Sequence, residues 1–396
     1  MNDRMWKIIE ARNYWHRPFE ATFPREITLK VLEYSSGSEA IYLFGPRQAG
    51  KTTVCLQAMQ ALSKKHGSES CLYVNFEEPA FSSMLNTEFL GWIVEKYSEV
   101  FRQQPKFVFF DEIQNVPEWE KFVRTIVDQK KFKIFVTGSS AKLLSSEFAT
   151  SLGGRGLGFL VLPFSFREFK EVGAKKLSLA DYLETGGYPA VVLEKNKEKR
   201  ARLLEEYFET AIARDIAARY QIRDLKTLRT LAVYLLTNSG NKFTYNKLRA
   251  LTGLSFETIK LYLSYLQDAF IAFEVPFFSY SMKKELEQPR KHYAYDTGLQ
   301  AVISKSFSPD LGRRAENAVA IKLIRREKEV QYYSNKYEVD FVVKEGLAVN
   351  AINVCYAVTA PKRETKAIAE FSEQFKPKSA TLLKGEKEIS EWLSNR

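Results

Sequence analysis

The chain has 396 residues, of which 45% are hydrophobic, and its formal net charge is +11 at pH 7. A chain of this length exceeds the size at which one hydrophobic core keeps growing, so we expect two or three domains. The basic excess favours an acidic partner, most commonly nucleic acid, over the alternative of a merely solvated lysine-rich surface.

Cysteines, histidines and the N-terminal residues exclude several classes of protein. Cys55, Cys71 and Cys355 are far apart and lie in apolar stretches, which indicates buried thiols in a reducing cytoplasm. The first residues carry charges throughout, unlike a signal peptide, and no apolar run approaches the roughly 18 residues of a membrane span. No histidine has a Cys or His neighbour at ligand spacing, which argues against zinc. We therefore expect a cytoplasmic protein without membrane contact.

The first 76 residues predict the start of an α/β domain. Residues 1–40 are aromatic and basic and include an amphipathic stretch, 27–34, which predicts a helical lead-in packed on the core. A strand beginning at Ile41, a helix over 54–65 and a strand over 71–76 follow. The order strand, helix, strand is typical of a parallel sheet.

The turn between that first strand and helix has the spacing of a phosphate-binding loop. Residues 41–53 read IYLFGPRQAGKTT, with Gly45 and Gly50 separated by four residues and followed by Lys51 and Thr52. Glycines let consecutive backbone N–H groups surround an anion, and the helix N-terminus adds its positive dipole end. Lys51 would reach the β- and γ-phosphates, and Thr52 would offer a hydroxyl to Mg²⁺. The predicted nucleotide-binding residues are Gly45, Pro46, Arg47, Gln48, Ala49, Gly50, Lys51, Thr52 and Thr53.

A second motif makes a chance Gly-Lys-Thr improbable. Residues 106–114 read KFVFFDEIQ, an apolar strand that ends in Asp111 and Glu112. These carboxylates would lie at the carboxyl edge of the sheet, beside the loop's phosphates. Asp111 fits an outer-sphere Mg²⁺ partner. Glu112 fits the group that orients and deprotonates an attacking water.

Two further residues are candidates for the same site. A helix over 119–128 and a buried strand over 133–136 lead to Ser139, which we predict to sense the γ-phosphate; the alternative is an ordinary helix N-cap. Arg155 lies in the glycine-rich turn LGGRG and is permanently charged. It is a candidate arginine finger, in cis or in trans, with surface solvation as the alternative.

The middle of the chain becomes helical. Residues 171–224 predict a helical lid, and 225–296 predict helices at 226–238, 244–251 and 255–268 followed by two strands. Two short helices across a glycine turn and then a hairpin indicate a winged helix-turn-helix. Such a module would bind duplex DNA, although it also occurs as a protein-contact module and Glu257 disfavours phosphates. The predicted contacts are Ser255, Glu257, Thr258 and Lys260 on the helix and Lys283, Lys284, Arg290 and Lys291 at the hairpin tip.

The last segment, 297–396, outlines a nuclease-type α/β core. Glu316 lies in a predicted helix and Asp340 in a strand, where carboxylates and a lysine would hold a divalent metal. The third strand departs from this pattern, because Asn353 and Cys355 stand where a Glu and a Lys are expected. Lys336 or Lys344 could take the role of the lysine that Cys355 replaces. We nevertheless expect that this domain does not cleave DNA.

The order of these modules resembles a family of prokaryotic AAA-type ATPases with a P-loop domain, a winged helix and a C-terminal nuclease-like domain. The resemblance implies that the first domain binds ATP with Mg²⁺ and hydrolyses it, with Lys51, Thr52, Asp111 and Glu112 matching the nucleotide motifs. It is carried by GPRQAGKTT, VNFEEP, FVFFDEIQNVPEWE, VTGSSAKLL, GGRG with PFSFREF, GGYP, ARDI, YDTGL, RRAENAVA and EVDFVV.

We therefore predict an α/β fold: a P-loop NTPase parallel sheet with a helical lid, followed by a winged helix and a small PD-(D/E)XK-like α/β domain. The predicted boundaries are 1–40, 41–170, 171–224, 225–296 and 297–396. The leading function is an ATP-driven switch that acts on DNA or on a protein partner, with homo-oligomers among the expected assemblies. The alternatives are a metal-dependent DNA endonuclease and an ATP-binding scaffold that does not hydrolyse.

Overall fold

The computed structural model describes residues 3–139, 152–174, 176–305, 310–346 and 348–395. The chain divides into two compact units, Met1–Val161 and Leu162–Arg396. The finer five-part division of the sequence stays a prediction. No helix among the described residues is both long and apolar enough to cross a membrane.

A five-stranded parallel sheet forms the centre of the first unit, in the order β2-β3-β4-β1-β5, which confirms the predicted P-loop-type sheet. Its strands read as almost continuous apolar runs because a parallel sheet is covered by helices on both faces. β1 and β3 are buried at every position. The strands are β1 Ala40–Phe44, β2 Cys71–Asn75, β3 Phe107–Asp111, β4 Lys133–Gly138 and β5 Gly156–Leu160.

Helices cover this sheet, and one of them begins directly at the phosphate loop. That helix buries Val54, Cys55, Ala58 and Met59 in a cluster with alternate side chains of the sheet. It ends where Gly67 follows His66. The helices of this unit are α1 Asp3–Arg12, α2 Glu26–Glu33, α3 Lys51–His66, α4 Thr87–Phe101 and α5 Trp119–Gln129.

The N-terminal segment packs on the edge strand β2. The side chain of Asn13 accepts from Tyr73 N at 2.8 Å and donates to Tyr73 O at 2.9 Å, as a neighbouring strand would. Trp15 Nε1 donates to Cys71 O at 2.7 Å. These bonds satisfy the backbone groups that an edge strand otherwise exposes.

The second unit contains two smaller sheets. The first is antiparallel, in the order β6-β8-β7, and the second has the order β12-β11-β10-β9. β11 and β12 pair in parallel, whereas β10 pairs antiparallel with both of its neighbours. The strands are β6 Lys242–Phe243, β7 Ala272–Val275, β8 Arg290–Ala294, β9 Glu329–Ser334, β10 Glu338–Glu345, β11 Ala348–Cys355 and β12 Ser379–Lys384.

Helices connect these strands, and the residues of the ARDI motif lie in a π-helix, Ala211–Ala218. The three thiols of the chain, in both units, are free and buried. The helices are α6 Phe166–Val172, α7 Leu179–Thr185, α8 Pro189–Leu193, α9 Lys197–Thr210, α10 Leu225–Thr237, α11 Tyr245–Thr252, α12 Phe256–Asp268, α13 Met282–Glu287, α14 Thr297–Ile303, α15 Leu311–Arg325, α16 Lys362–Phe375 and α17 Gly385–Ser394.

Two sequence motifs, GGYP and YDTGL, meet at the buried carboxylate of Asp296. Its oxygens accept from Gly187 N at 2.7 Å and from Leu299 N at 2.9 Å, and Thr297 Oγ1 donates to Tyr182 O at 2.9 Å. Burial raises the pKa of Asp296 to about 6, although the backbone N–H groups oppose that rise. Both motifs therefore have a structural role, because Asp296 joins the start of α14 to the end of α7.

Candidate functional site

The phosphate loop connects the end of β1 to the start of α3, as its spacing predicts. A Cβ on Gly45 would lie 2.0 Å from Val161 O, so the backbone approaches β5 more closely than a side chain permits. Gly50, with φ +94°, adopts the left-handed region immediately before α3. These two glycines allow the loop to curl in front of the helix N-terminus.

Lys51 is buried and its ammonium lies over the loop. Nζ donates to Gly45 O at 3.1 Å and to Pro46 O at 3.0 Å, and it is 3.9 Å from Glu112 Oε1. The charge is therefore held between the loop and the carboxylate at the end of β3. In a phosphate-binding loop, the lysine after the second glycine reaches the β- and γ-phosphates, which stays the prediction for Lys51.

Asp111 is fully buried and accepts hydrogen bonds from side chains on three elements. Thr52 Oγ1 donates to Asp111 Oδ2 at 2.9 Å, Tyr73 OH at 2.8 Å and Asn75 Nδ2 at 3.3 Å, while Thr137 Oγ1 donates to Oδ1. Burial raises the pKa of Asp111, and the bonds from Thr137 and Tyr73 oppose the rise.

The donor set at this point fits a magnesium ion. The Thr52 hydroxyl and the Asp111 carboxylate are oxygen groups in direct contact beside the phosphate loop. Mg²⁺ prefers such hard ligands, usually keeps several waters and completes its shell with substrate phosphates. Thr52 suits a direct ligand, and Asp111 suits a partner that acts through a bound water.

Glu112 is held in place by its backbone and by its carboxylate. Its φ of +54° reverses the chain just after β3, and its N–H donates to Thr137 Oγ1 at 2.9 Å. Ser139 Oγ lies 2.8 and 3.0 Å from the two carboxylate oxygens, and Gln114 Nε2 donates to Oε2 at 2.5 Å. A non-glycine residue in the left-handed region stores strain of the kind that clusters at active sites.

The structure thus brings five predicted residues, Lys51, Thr52, Asp111, Glu112 and Ser139, into one network at the carboxyl edge of the sheet. Arg47 lies in the same loop, and its NH1 is 3.4 Å from Glu77 Oε1. The remainder of the motif VTGSSAKLL, from residue 140 onward, lies outside the described residues. The roles assigned to these residues stay predictions.

Arg155 is not brought to this site. Its carbonyl accepts from Ala40 N at the start of β1, and its side chain pairs with Asp128. The phosphate loop follows the other end of β1, about 13 Å away for a strand of this length. Within one chain, Arg155 therefore lies at the edge of the sheet opposite the loop.

The sequence patterns do not single out several residues that lie in this site. Asn75 and Thr137 stand at strand ends, so the rule that found Asp111 could have found them. Tyr73 could not be found this way, because a buried tyrosine within a strand reads as core. Arg25 comes from the lead-in: its NH1 donates to Ala49 O at 2.6 Å and supports the loop next to Gly50.

A second cluster of charges lies in the second unit, around Lys291 on β8. Its side chain is 1% exposed, and Nζ lies 2.6 Å from Glu338 Oε1, 3.1 Å from Glu316 Oε1 and 3.6 Å from Asp340 Oδ1. The predicted phosphate contact by Lys291 is therefore wrong, because the ammonium is buried among carboxylates. Arg290 is also occupied, by an ion pair with Glu274.

The same cluster corrects the expectation of a missing lysine. Lys291 brings an ammonium to Glu316 and Asp340 from β8, which is distant from both in sequence. The sequence predicts this lysine at position 355, or Lys336 or Lys344 in its place. Asn353 accepts from Asp340 N at 3.0 Å and donates to Glu364 Oε2 at 2.9 Å. Among the described residues, no group of three or more His, Cys, Asp or Glu side chains is arranged to hold a metal ion.

The sheet, the loop and the Asp-Glu pair define an AAA-type P-loop protein. One family model agrees with this class, because an AAA domain matches residues 37–170. A second model, a domain of unknown function named DUF8612, matches residues 176–310. The uncharacterized protein MJ1544 of Methanocaldococcus jannaschii is 34% identical over 369 residues, 87% of this chain and 80% of that protein. An uncharacterized protein of Haemophilus influenzae is 28% identical over 373 residues, 90% and 92% of the two chains. The chain belongs to the same family as the M. jannaschii protein.

Two solved structures show a distant similarity to this chain. DnaA from Aquifex aeolicus, solved bound to AMPPCP, is 16% identical and covers 61% of this chain and 86% of its own, with a TM-score of 0.32. The ORC1 protein of Aeropyrum pernix, solved in complex with DNA, is 13% identical. The match covers 80% of this chain and 98% of the ORC1 chain, also with a TM-score of 0.32. Likenesses at this distance assign no ligand or partner to this chain.

Proposed function

We propose that the protein is an ATP-hydrolysing AAA-type switch. The observation that carries the proposal is the contact network of Lys51, Thr52, Asp111 and Glu112 at the carboxyl edge of a parallel sheet. Each of these groups meets a requirement of phosphoryl transfer, which depends on positioning and on neutralising phosphate charge.

The loop N–H groups and Lys51 would hold the phosphates, and Thr52 and Asp111 would hold the magnesium ion. When bound, Mg²⁺ would supply further neutralisation of the phosphate charge. In this proposal Glu112 accepts the proton of the attacking water, and Ser139, which donates to Glu112, senses the terminal phosphate. A finger role for Arg155 requires a second copy of the chain to present it, because its own chain holds it at the opposite sheet edge.

The alternative of a scaffold that binds ATP without hydrolysis is less well supported. A scaffold needs no base, yet the Glu112 carboxylate is fixed by Ser139 and Gln114 within 3.9 Å of the Lys51 ammonium. Such fixation restricts a carboxylate to one position, which a proton acceptor requires and a passive binder does not.

The test is steady-state phosphate release with Mg²⁺, together with equilibrium binding of a fluorescent ATP analogue. Lys51→Ala should lose nucleotide binding, and Glu112→Gln should bind ATP but turn it over slowly. Glu118→Gln is a matched control, because Glu118 also has a positive φ in the same segment but is exposed and paired with Lys121. If Glu112→Gln turned over ATP at the wild-type rate, Glu112 would not be the proton acceptor.

The partner is proposed from the three-stranded sheet and α10 to α12, which have the order of a winged helix-turn-helix. Lys260 on α12 and Lys283 and Lys284 on α13 are exposed and support contact with phosphates of duplex DNA. Phe256 and Leu261 are 43% and 51% exposed on α12 and support a protein partner instead. Phosphate release with and without duplex DNA separates the two, because only a DNA-directed switch should respond.

We also propose that the nuclease-like part is a contact surface rather than a nuclease. Lys291 fills the space between Glu316, Glu338 and Asp340, so the carboxylates already have a cation. Plasmid nicking with Mg²⁺ and Mn²⁺, over a range of protein concentrations, tests this idea. Cleavage that disappears in Asp340→Ala would contradict it.

A cytoplasmic location is proposed on the three buried free thiols, which suit a reducing compartment.

A further inference from the structure

Gln114 lies two residues after Glu112, in a single 3₁₀ turn, Ile113–Asn115. The left-handed φ of Glu112 turns the chain back at the end of β3, and Asn115 N donates to Glu112 O at 3.2 Å. Ile113 and Val116 are fully buried and anchor the turn on the core. The turn therefore holds the Gln114 side chain close to the carboxylate of Glu112.

The contact between these two side chains determines the orientation of the amide. Nε2 of Gln114 is 2.5 Å from Glu112 Oε2. An ionised carboxylate only accepts hydrogen bonds, so the nitrogen of the amide has to face it. The amide oxygen, Oε1, is buried, and no group among the described residues donates to it. A buried acceptor without a donor is costly, which calls for an explanation.

A water molecule beside the base would give that oxygen the donor that it lacks. Because Oε1 and Nε2 share one carbon atom, Oε1 lies within about 5 Å of the Glu112 carboxylate oxygen. A water that donates one hydrogen to each of two acceptors spans about 4 to 5 Å between them. Its two lone pairs then face away from both acceptors, and one of them is free for in-line attack on phosphorus.

We propose that Gln114 is a second water-positioning residue, whose amide donates to Glu112 and whose oxygen accepts from the attacking water. This inference rests on the proposed hydrolysis of ATP and adds to it. Glu112 alone fixes one hydrogen of the water, whereas Glu112 and Gln114 together fix both and so orient the oxygen. No covalent chemistry is assigned to Gln114, which holds the water while Glu112 takes its proton.

A purely structural amide that only fastens the turn predicts a different outcome. In that case its loss lowers the stability of the protein or its affinity for ATP, along with turnover. A water-positioning amide acts after ATP has bound, so its loss lowers kcat and leaves the affinity unchanged.

The experiment compares Gln114→Met, Gln114→Asn and the control Asn115→Ala in the full chain. Methionine keeps the length of the side chain without its hydrogen-bonding groups, and asparagine keeps the amide but withdraws it by one methylene. Asn115 is an exposed amide in the same turn, and its Nδ2 donates to Phe76 O at 3.4 Å rather than to Glu112. The measurements are kcat and KM for ATP with Mg²⁺, the Kd of a fluorescent ATP analogue, and Tm.

Both Gln114 variants should lose about 10- to 100-fold in kcat, with KM, Kd and Tm close to those of the wild type. Asn115→Ala should match the wild type in every measurement. The inference is overturned if Gln114→Met keeps its kcat, or if its loss of kcat comes with an equal loss of ATP affinity or a fall in Tm. If Gln114→Met does not fold, Gln114→Asn decides by the same criteria. A wild type that binds ATP but releases no phosphate overturns the hydrolysis proposal and this inference together, whereas active wild type and active variants overturn this inference alone.

Discussion

Lys51 and Lys291 are both buried and both lie near carboxylates, but the surroundings of the two ammonium groups differ. In the first unit, Lys51 Nζ lies on two loop carbonyls, with Glu112 Oε1 3.9 Å away. In the second unit, Lys291 Nζ lies within 3.6 Å of three carboxylates. The first arrangement keeps positive charge beside a loop built for anions. The second uses the positive charge to neutralise the protein's own acids.

Protonation states support the same contrast. Burial lowers the pKa of Lys291, but the charges of Glu316, Asp340 and Glu338 outweigh it and hold the pKa well above its ordinary value. Burial also raises the pKa of Asp340 strongly, together with the charge of Glu316. Lys291 therefore stays charged, and we expect its charge to stabilise the fold. A lysine near carboxylates is evidence of a reaction centre only where the surroundings leave room for substrate charge.

The largest expected effect concerns the base at the nucleotide site. Glu112→Gln removes the proton acceptor while it keeps the side chain's shape, so turnover should fall about 10²- to 10⁴-fold with ATP affinity retained. Phosphate release and equilibrium binding measure the two quantities. Glu118→Gln should behave as the wild type. Equal losses in both glutamine variants would indicate a general effect on folding.

The next effect is expected at the other lysine, where it should appear in stability. Lys291→Met leaves the buried Asp340 and the partly buried Glu316 and Glu338 without their central cation, which should cost about 3 to 5 kcal/mol of unfolding free energy. Urea unfolding measures it, with the exposed Lys284→Met as control, and Asp340→Asn in the Lys291→Met background should recover part of the loss. A loss of the size seen at surface positions would mean that the cluster contributes little.

A smaller effect should appear in the pH dependence of stability at Asp296. Its pKa is raised to about 6, so between its ordinary value and about 6 the native state binds more protons than the unfolded state. Stability should therefore fall as pH rises through this range, by about 3 kcal/mol from this group. Asp296→Asn should remove that part of the slope in urea unfolding at pH 4.5 and 7. An unchanged difference between the two pH values would contradict the assignment.

The smallest expected effect is on binding of duplex DNA at the exposed lysines. Lys284→Glu should weaken binding and reduce the slope of log affinity against log salt by about one, because one phosphate contact is lost. Lys387→Glu, exposed on α17, is the control for net charge. If DNA binding did not depend on salt, or if no DNA bound at low salt, the proposed phosphate contacts would be wrong. A protein would then be the remaining candidate partner.

The contacts among the predicted nucleotide-site residues could be anticipated where the information was local, while their roles stay predictions. Gly45, Gly50 and Lys51 lie within seven consecutive residues, and Asp111 and Glu112 end an apolar strand, so spacing and periodicity were enough. The parallel sheet followed from the alternation of strands and helices. Ser139 follows the carboxyl end of a strand, which is the position that singled out Asp111 and Glu112. Asn75 and Thr137 also lie at strand ends, so the same rule would have identified them.

Tertiary structure decided what depends on partners distant in sequence. The glycine-rich turn around Arg155 indicated an arginine finger. The pairing of β5 with β1 places Arg155 at the start of β1, at the sheet edge opposite the phosphate loop. Lys291 was predicted to contact phosphates from the tip of a hairpin. In the structure it lies on β8, and its ammonium contacts Glu316 and Asp340. The sequence by itself determined the phosphate loop, the carboxylates at the end of β3 and the strands that carry them, because each is specified by the spacing of residues within one element. Only packing decided which charges meet, since the contact of Lys291 with Asp340 or of Tyr73 with Asp111 exists only once whole elements have been placed against each other.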